Sequence, residues 1–405
     1  MVNQAAILVG GLGTRLGSLT QGTPKPMLPI SGCPFLEFLL DELSRHGISE
    51  ILLLAGYRAE NIFSKYHGKK WRGAQVQVIV EESPLGTGGA LRSAKNRLHE
   101  QFLLLNGDSL FDINLCDFLC EAAISSALAH IALSTNSVGD RYGRVKLHKD
   151  GIVAEFYSSG GDGVGPINAG IYCLRRELLE QIPEKKVSFE ESVLHPLAKA
   201  GGVTASQYDG YFLDIGVPED FNKAQREIPD QTTRPAVFLD RDGVINLDTG
   251  YVYQSDECSW IPGAKDAIKM LNDRGYFVFV VTNQAGVGRG YYSIEDVVKL
   301  HDWMGGELRA MGAHVDEFAF CPHHPDAGIG DFKADCRRRK PNPGMIEDLK
   351  QAWSIDWTGS FLIGDKDSDI QAAKNAGLKG HKFDGVNLLE YITCLEGGGL
   401  GDSIT

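Results

Sequence analysis

Short apolar runs recur along the chain, each followed by glycine, polar or charged residues, and they predict buried strands. The clearest runs are Ala5–Val9, Glu50–Ala55, Phe102–Leu105, Val237–Leu239, Phe277–Val281 and Phe361–Gly364. Between them, apolar residues at helical spacing predict amphipathic helices, as at Pro34–Gly47 and Pro262–Gly275. Strands that alternate with helices predict βαβ units. We therefore expect an α/β protein built from three-layer α/β/α domains.

The length of 405 residues exceeds what one ordinary core fills, so two domains of roughly 200 residues each are expected. Arg226–Pro235 is polar, holds two prolines and lacks periodicity, which is typical of a linker. We predict domains at 1–228 and 236–395, with a linker at 229–235. The Gly-rich residues 396–405 are expected to be a disordered tail.

Charge and composition restrict the partners. A formal charge of −13 and a pI near 5.3 argue against nucleic acid or an anionic membrane as partner, although phosphate ligands need only local cations. No apolar run approaches 18 residues, and the N-terminus lacks the basic region of a signal peptide. Eight cysteines without paired spacing suggest a reducing compartment. We expect a cytoplasmic protein, and a homo-oligomer is compatible with the sequence.

Four glycines lie within eight residues directly after the first strand, in Gly10-Gly-Leu-Gly-Thr-Arg-Leu-Gly17. Such a turn lets backbone N–H groups converge on an anion, and Arg15 adds a cation. Prolines hold Lys25 on a stiff segment, Thr23-Pro-Lys-Pro-Met-Leu-Pro-Ile30. The glycines alone are also compatible with a plain tight turn. Together with the two cations at this spacing, they favour a phosphate site.

These two segments resemble the signature of the sugar-1-phosphate nucleotidylyltransferases, and the resemblance extends over the whole first half. It implies a GT-A-like nucleotidyltransferase fold in which a sugar 1-phosphate attacks the α-phosphorus of a nucleoside triphosphate. It implies that Arg15 and Lys25 align and neutralise phosphates, and that Asp108 and Asp214 bind Mg²⁺. It assigns to the substrates Gly10, Gly11, Gly13, Glu82, Gly86, Asn168 and Glu190.

Two details of this resemblance leave alternatives open. Asn168 and Glu190 are also compatible with an ordinary strand and a solvated acidic helix start, although the resemblance favours sugar contacts. The segment Pro84-Leu-Gly-Thr-Gly-Gly89, within the stretch that holds the nucleobase in the family, looks more like the guanylyl-transferring branch than the thymidylyl one.

In the second half, reactive side chains follow the strands. Asp240 and Asp242 come directly after one strand, and Thr282 after the next. Lys340 precedes a helix, and Asp365 follows a third strand. Parallel sheets bind ligands beyond the carboxyl ends of their strands, so these residues are well placed for phosphate chemistry. Individually, the aspartates are also compatible with an acidic turn, and the threonine with a strand end.

The order of these residues resembles the haloacid-dehalogenase superfamily. The resemblance implies that Asp240 is the nucleophile that forms an aspartyl-phosphate and that Asp242 is the general acid and base. Thr282 and Lys340 would hold the phosphoryl oxygens. Mg²⁺ would be bound by Asp240, the backbone carbonyl of Asp242 and Asp365, with Asp369 lying behind the direct ligands.

A finer resemblance is to the heptose 1,7-bisphosphate phosphatases, close relatives of histidinol phosphatase. It rests on segments such as Thr282-Asn-Gln-Ala-Gly-Val-Gly-Arg-Gly290 and Arg339-Lys-Pro-Asn-Pro-Gly344. It implies that Asn283 contacts the substrate and that Arg289 and Arg339 grip its second phosphate. The alternative is that both arginines are ordinary surface residues.

This family carries a structural Zn²⁺ on two Cys-containing segments. Cys321, His323 and Cys336 match three of its ligands, but Arg338 stands at the fourth position, where a guanidinium would repel the cation. Zinc and a metal-free loop with free thiols therefore both remain open.

The two halves together suggest consecutive reactions. A phosphatase of this kind yields a heptose 1-phosphate, which a guanylyltransferase would activate, so the resemblance implies a bifunctional enzyme that makes GDP-heptose from GTP and sugar phosphates. One alternative is a mannose-1-phosphate guanylyltransferase joined to a different phosphatase. A non-enzymatic alternative is a first half that senses nucleotide sugars. The presence of Arg15, Lys25, Asp108 and Asp214 argues against it.

Overall fold

The computed structural model describes residues 2–11, 13–81, 83–136, 142–157 and 165–396. The chain divides into two compact units, the first ending at Thr232 and the second beginning at Thr233. The predicted tail beyond residue 396 and the predicted substrate residue Glu82 lie outside the described residues. Within these ranges, no helix is both long enough and apolar enough to cross a bilayer.

The first unit is built around a mixed sheet. Its strands are β1 Gln4–Leu8, β2 Pro29–Ile30, β3 Cys33–Pro34, β4 Glu50–Ala55, β5 Lys70–Trp71, β6 Ala74–Val80, β7 Gln101–Asn106, β8 Ser109–Phe111, β9 Ala129–Ser134, β10 Val145–Leu147, β11 Val153–Phe156, β12 Ile167–Arg175, β13 Val203–Tyr208 and β14 Phe212–Asp214. Eight of the described strands form the sheet β13-β9-β12-β7-β1-β4-β6-β5. Strand β1 is parallel to β4 and β7, whereas β12 is antiparallel to both of its neighbours.

Helices cover this sheet. They are α1 Phe35–Arg45, α2 Ala59–Tyr66, α3 Gly86–Ser93, α4 Leu115–Ile124, α5 His195–Lys199 and α6 Pro218–Thr232, with a π-helical turn at Glu190–Leu194 and 3₁₀ turns at Thr14–Thr20, Lys25–Met27, Lys95–Arg97 and Arg176–Gln181. In α1, apolar side chains three and four residues apart are buried, which explains why the predicted helix forms.

Both faces of the sheet are buried. In β7, Leu103 and Leu105 belong to one apolar core, and Phe102 and Leu104 to the other. Because successive strand residues point to opposite faces, an uninterrupted apolar strand requires a covering layer on each side. The predicted three-layer α/β/α arrangement is confirmed for this unit.

The stretch expected to be an irregular linker is instead the end of α6 and the start of the next strand, at Arg234. Pro229 lies inside α6, where it cannot donate to the carbonyl of Gln225 four residues earlier. The Ser31 hydroxyl donates to that carbonyl at 2.7 Å. This replacement bond compensates for the proline that had suggested a break.

The second unit has a five-stranded, fully parallel sheet. Its strands are β15 Arg234–Leu239, β16 Phe277–Asn283, β17 Glu317–Cys321, β18 Ile355–Gly364 and β19 Lys379–Lys382, in the order β17-β16-β15-β18-β19. Its helices are α7 Ala264–Asp273, α8 Ala285–Gly288, α9 Ile294–Arg309, α10 Gly344–Ala352, α11 Asp367–Asn375 and α12 Leu388–Glu396, with a 3₁₀ turn at Gly330–Phe332.

This sheet, too, separates two apolar cores. Val237 and Leu239 of β15 face one core, and Ala236 and Phe238 face the other. Strands β16, β15 and β18 are adjacent, so their carboxyl ends meet at one edge. The predicted α/β/α arrangement is confirmed here as well.

Candidate active sites

A cavity of about 380 Å³ lies beside the carboxyl ends of β1 and β7 in the first unit. Its lining includes six of the residues predicted for this half: Gly10, Gly11, Lys25, Gly86, Asp108 and Glu190. The predicted residues therefore bring to the cavity the backbone of the Gly-rich turn, one lysine and two carboxylates, and the lining also includes Lys186 and Glu81. Such a mixture suits a ligand that carries phosphates and sugar hydroxyls.

Lys25 lies between the two aspartates predicted to bind Mg²⁺. Its Nζ is 2.5 Å from Asp108 Oδ2 and 3.5 Å from Asp214 Oδ1. The antiparallel pair β8–β14 places these aspartates together, because Asp214 pairs with Ser109 and the Ile215 N–H donates to the Asp108 carbonyl at 2.9 Å. The site thus holds two carboxylates and a cation that can neutralise them.

Arg15 reaches the same place, although it does not line the cavity. A methyl group at Gly216 would lie 3.2 Å from Lys25 Nζ, 3.3 Å from Arg15 Nη2 and 2.7 Å from Asp214 Oδ1. Gly216 is therefore surrounded by the proposed phosphate and metal ligands, and any side chain would displace them. The sequence prediction missed this residue, although the Leu-Asp-Ile-Gly segment contains it.

Gly13 has a structural reason to be glycine. Its φ is +62°, and a methyl group on it would come 2.8 Å from Thr20 Cγ2. It does not line the cavity, so the structure brings Gly10 and Gly11, but not Gly13, to the predicted ligand site. The role of Gly13 here is to let the chain turn tightly.

Asn168 and Glu190 are joined through a third residue. The Tyr172 hydroxyl donates to Glu190 Oε1 at 2.6 Å, and Asn168 Nδ2 lies 2.9 Å from that hydroxyl and 3.3 Å from Glu190 Oε1. Burial and the Glu190 carboxylate raise the pKa of Tyr172, so its proton stays in place. Tyr172 was missed because an aromatic residue in a buried strand normally indicates only core packing.

Glu81 lines the cavity and was also missed by the sequence prediction. Its carboxylate is half-buried, and burial raises its pKa. A hydrogen bond from the backbone N–H of Leu85 lowers the pKa, but by less than burial raises it. A methyl group on Gly56 would lie 3.0 Å from Glu81 Oε2, so glycine at that position leaves room for the carboxylate. The adjacent Glu82 was the sequence-based choice for this segment.

In the second unit, the predicted residues gather where the parallel strands end. Asp240 follows β15, Thr282 lies at the end of β16, and Asp365 follows β18. The backbone N–H of Asp240 donates to the Ile363 carbonyl at 2.9 Å. Gly243 turns the chain there with a φ of +93°, and a methyl group on it would come 2.4 Å from Asp365 Oδ2.

Lys340 is buried at the centre of this cluster. Its Nζ lies 2.8 Å from Asp240 Oδ1, 2.7 Å from Asp369 Oδ1 and 2.8 Å from the Val281 carbonyl. Burial lowers the pKa of Lys340, but the two carboxylates outweigh it and the pKa is raised. Burial raises the pKa of Asp240 despite the attraction of Lys340. The pair is consistent with a nucleophile whose charge is balanced by one ammonium.

The carboxylates of Asp240, Asp365 and Asp369 lie within 4.8 Å of one another. Asp365 Oδ1 is buried and has no hydrogen-bond partner among the described residues. Burial, together with the neighbouring Asp240 and Asp369, raises the pKa of Asp365 to about 6, against the attraction of Lys366. Hard oxygen donors at this spacing fit Mg²⁺. Asp369, expected behind the ligands, is thus a member of the carboxylate cluster.

The Asp242 side chain points into a bonded network. Arg241 Nη2 lies 3.0 Å from each Asp242 carboxylate oxygen, while Asn246 and Gln284 each donate to one of them at 3.0 Å. Arg241 is fully buried and also donates to the Val252 carbonyl at 2.6 Å. The structure therefore orients the predicted acid and base firmly.

Asn283, predicted to contact the substrate, and the two arginines predicted to grip its second phosphate differ in what they contact. The Asn283 amide is bonded at both ends to the Lys340 backbone, at 3.0 Å each, so in this structure it orients Lys340. Arg339 donates to the His323 carbonyl at 2.9 Å, and burial, followed by the neighbouring Arg289, lowers its pKa. Within the described residues, neither Arg289 nor Arg339 has a carboxylate partner. Two neighbouring guanidiniums without a carboxylate suit the predicted contact with a phosphate.

The three predicted zinc ligands also converge. One ligand atom each from Cys321, His323 and Cys336 lies within 4.8 Å of the others. Burial raises the pKa of Cys321 to about 11. Arg338 turns toward Asp348, with Nε 3.3 Å from Oδ2. Among the described residues, no fourth protein ligand joins the cluster.

Models of known protein families match both units. Residues 4–231 match the nucleotidyl transferase family, and residues 337–381 match the HAD-hydrolase-like family. The crystal structure of HddC from Yersinia pseudotuberculosis, complexed with GMP-PN, is 35% identical with a TM-score of 0.50, and the alignment covers 56% of this chain and all of that one.

Curated relatives also match each unit separately. A D-glycero-alpha-D-manno-heptose 1-phosphate guanylyltransferase of Campylobacter jejuni is 37% identical over 54% of this chain and 96% of its own length. A D-glycero-beta-D-manno-heptose-1,7-bisphosphate 7-phosphatase of Rhodopseudomonas palustris is 50% identical over 39% of this chain and 88% of its own. The chain therefore belongs to the nucleotidyl transferase family through its first unit and to the HAD-like hydrolases through its second.

Proposed function

We propose that this chain catalyses two consecutive steps of nucleotide-activated heptose synthesis. The second unit removes the C7 phosphate of a D-glycero-D-manno-heptose 1,7-bisphosphate, and the first transfers GMP from GTP to the resulting heptose 1-phosphate. The products are GDP-heptose, phosphate and pyrophosphate. The observation that carries the proposal is that relatives of the two units, by their names, act on successive compounds. A relative of the second unit, from Burkholderia mallei, is named as a D-glycero-alpha-D-manno-heptose-1,7-bisphosphate 7-phosphatase, and its product is the alpha-heptose 1-phosphate for which the guanylyltransferase relative of the first unit is named.

The phosphatase step needs a nucleophile, an acid and a phosphoryl cradle. Asp240 attacks the C7 phosphorus and forms an aspartyl-phosphate, while Asp242 donates a proton to the leaving sugar oxygen. Asp242 then takes a proton from water, which attacks the aspartyl-phosphate and releases inorganic phosphate. Thr282 and Lys340 hold the phosphoryl oxygens, and the paired guanidiniums of Arg289 and Arg339 suit the phosphate that does not react.

The transfer step needs alignment more than covalent help. An oxygen of heptose 1-phosphate attacks the α-phosphorus of GTP in line, and pyrophosphate leaves. Arg15 and Lys25 neutralise the charge that builds up on the phosphates. Glu190, bonded to Tyr172 and Asn168, offers a fixed acceptor for sugar hydroxyls.

Glu81 supports guanine as the base. The pairing edge of guanine presents two adjacent donors, N1–H and N2–H₂, and a carboxylate offers two acceptors at matching spacing. Adenine presents an acceptor at N1 instead. That acceptor would face the half-buried carboxylate, which also only accepts, so neither group would be hydrogen-bonded. The carboxylate lines the cavity that also holds the proposed phosphate ligands.

Both units offer ligands for metals. Asp108 and Asp214 in the first unit, and Asp240 with Asp365 in the second, suit Mg²⁺, which would neutralise phosphate charge when bound. The carbonyl of Asp242 stays a predicted ligand. Cys321, His323 and Cys336 suit a structural zinc whose fourth ligand is not a cysteine of this segment.

The guanylyltransferase relatives support the α anomer, because their names specify the alpha form in both Campylobacter jejuni and Aneurinibacillus thermoaerophilus. The phosphatase relatives include enzymes named for either anomer. We therefore propose the α-bisphosphate as substrate. A cytoplasmic location and a homo-oligomeric state stay predictions.

The test separates the two activities by substitution. Purified protein with Mg²⁺ is assayed for phosphate release from D-glycero-α-D-manno-heptose 1,7-bisphosphate and, separately, for GDP-heptose formation from GTP and heptose 1-phosphate. Asp240→Asn should abolish only the first reaction, and Asp108→Asn only the second. Activity on mannose phosphates in place of both heptose substrates would refute the proposed sugar.

A further inference from the structure

The side chain of Gln284 links two residues of the phosphatase site. It is 1% exposed and lies between the end of β16 and the start of α8. Its Nε2 donates to Asp242 Oδ2 at 3.0 Å and to Thr282 Oγ1 at 2.9 Å. Its Oε1 accepts from the Tyr292 hydroxyl at 2.8 Å and from Arg241 Nη2 at 3.3 Å. All four bonds join buried or half-buried groups.

The surroundings permit only one orientation of this amide. Arg241 has donors and no acceptor, so it requires the amide oxygen on its side. The Asp242 carboxylate, when ionised, has only acceptors and requires the amide nitrogen. A flipped amide would set nitrogen against the guanidinium and oxygen against the carboxylate, and would leave buried groups unpaired.

This fixed orientation determines what Thr282 can do. Because its oxygen accepts a hydrogen from Gln284, the Thr282 hydroxyl does not use its own hydrogen in that contact. That hydrogen is available to a phosphoryl oxygen, which accepts and cannot donate when ionised. The same amide also supplies one of the donors that hold Asp242 Oδ2.

We infer that Gln284 is a positioning residue of the phosphatase site, which directs the Thr282 hydroxyl to donate to the phosphoryl group and orients the carboxylate of Asp242. The inference rests on the proposed phosphatase activity. It goes further in naming a residue that contacts neither the nucleophile nor a proposed ligand atom of the metal. Tyr292 and Arg241 act behind it by fixing the amide oxygen.

Two substitutions separate this role from simple packing. Gln284→Glu keeps the shape but replaces the donors with acceptors, which draws the Thr282 hydrogen away from the phosphoryl group and places a second carboxylate beside Asp242. Gln284→Met removes the polar group and leaves Thr282 free to rotate. We expect kcat for phosphate release to fall roughly 100-fold for Glu and roughly 10-fold for Met. A packing role predicts the opposite order, because glutamate is the closer isostere.

A double-mutant cycle with Thr282→Val tests the route of the effect. In the Thr282→Val background, Gln284→Glu should lower kcat for phosphate release roughly 10-fold rather than 100-fold. The affinity for orthovanadate, which mimics the transferred phosphoryl group, should follow the same pattern. Nucleotide transfer by the first unit of the same chain, which should stay unchanged, reports the amount of intact protein. Tyr292→Phe should lower kcat for phosphate release only roughly 3-fold, because Arg241 still donates to the amide oxygen of Gln284.

The outcomes are distinct when p-nitrophenyl phosphate is assayed beside the heptose bisphosphate. If the wild-type protein releases phosphate from either substrate, two results would overturn the inference alone. One is that Gln284→Met lowers kcat as much as Gln284→Glu does, and the other is that the effects of Gln284→Glu and Thr282→Val on kcat are fully additive. No phosphate release from either substrate would overturn the phosphatase function and this inference with it.

Discussion

Each unit contains a lysine between two aspartates, and the two lysines differ in how firmly they are held. Lys340 contacts two buried carboxylates and a backbone carbonyl, all within 2.8 Å. Lys25 is equally buried, but its contacts of 2.5 and 3.5 Å are unequal, and the side chain of its nearer partner Asp108 is 35% exposed. Lys340 is therefore part of a closed charge cluster, whereas Lys25 lies at the edge of a cavity.

The difference indicates two ways of handling phosphate. In the second unit, the ammonium balances the carboxylate proposed as nucleophile, whose pKa burial raises, so under the proposed mechanism the cation serves both the fold and the reaction. In the first unit, solvent and ligand can reach the aspartates, so the lysine serves the reaction more than the fold. Substitutions can test this contrast directly.

Lys340→Met should have the largest effect. It removes the cation shared by Asp240 and Asp369, and phosphate release should fall on the order of 10³-fold or more. The free energy of unfolding of the second unit should also fall by about 3 kcal/mol, because buried carboxylates lose their partner. Phosphate-release assays with Mg²⁺ measure the first effect, and hydrogen exchange in the presence of a chelator measures the second. Lys382→Met, at an exposed pair with Asp367, is the matched control. Unchanged stability would remove the proposed contrast.

Lys25→Met should affect activity much more than stability. Nucleotide transfer should fall on the order of 10²-fold or more, because the cation facing the phosphates is lost. The free energy of unfolding of the first unit should change by no more than about 1 kcal/mol, since the partner Asp108 remains solvated. Lys95→Met, at a partly exposed pair with Glu180, is the control. A loss of stability as large as that of the Lys340 variant would contradict the distinction.

Glu81→Gln should change the choice of base. Glutamine offers one acceptor and one donor, which matches the N3–H and O4 of uracil better than the two donors of guanine. We expect kcat/KM for GTP to fall roughly 10- to 100-fold and that for UTP to rise. Glu184→Gln, at an exposed pair with Arg92, should leave both unchanged. An unchanged preference for GTP would show that another group reads the base.

Acid should weaken both units through buried histidines. Burial lowers the pKa of His130 to about 4 and that of His301, with Arg241 adding to the effect, to about 3. Below the ordinary pKa of about 6.5, the unfolded chain binds a proton that the folded chain rejects, so stability falls as pH drops from about 6.5 toward 4. The slope per histidine is up to about 1.4 kcal/mol per pH unit.

His130→Gln should flatten this pH dependence in the first unit alone. Hydrogen exchange at several pH values assigns the change to a unit, and the exposed His99→Gln is the control. An equal flattening in both units would mean that other groups cause the acid sensitivity.

Residues that act at strand ends were predictable from sequence. Asp240, Thr282 and Asp365 each terminate an apolar run, and adjacent parallel strands bring such ends together without further information. The Gly-rich turn after β1 was predictable for the same reason, because a strand followed by glycines leaves backbone N–H groups free for an anion.

Residues that act through another side chain were not predictable. Tyr172 and Gln284 lie in or just after buried strands, where their types indicate only packing, and their roles depend on which side chains face them across the sheet. The ion pair of Asp369 with Lys340 was not predictable, because the turn between β18 and α11 is invisible in the sequence. Glu81 was not predicted, since alternation along β6 does not reveal that the residue after this strand lines the cavity.

The central claim is that one chain converts a heptose bisphosphate into GDP-heptose in a fixed order. A ³¹P NMR time course with wild-type protein, Mg²⁺, GTP and D-glycero-α-D-manno-heptose 1,7-bisphosphate tests it directly. We expect inorganic phosphate and heptose 1-phosphate first, followed by pyrophosphate and GDP-heptose, with the reaction stopping at heptose 1-phosphate when GTP is omitted. A nucleotide sugar that keeps its C7 phosphate, or no nucleotide sugar at all, would contradict the account.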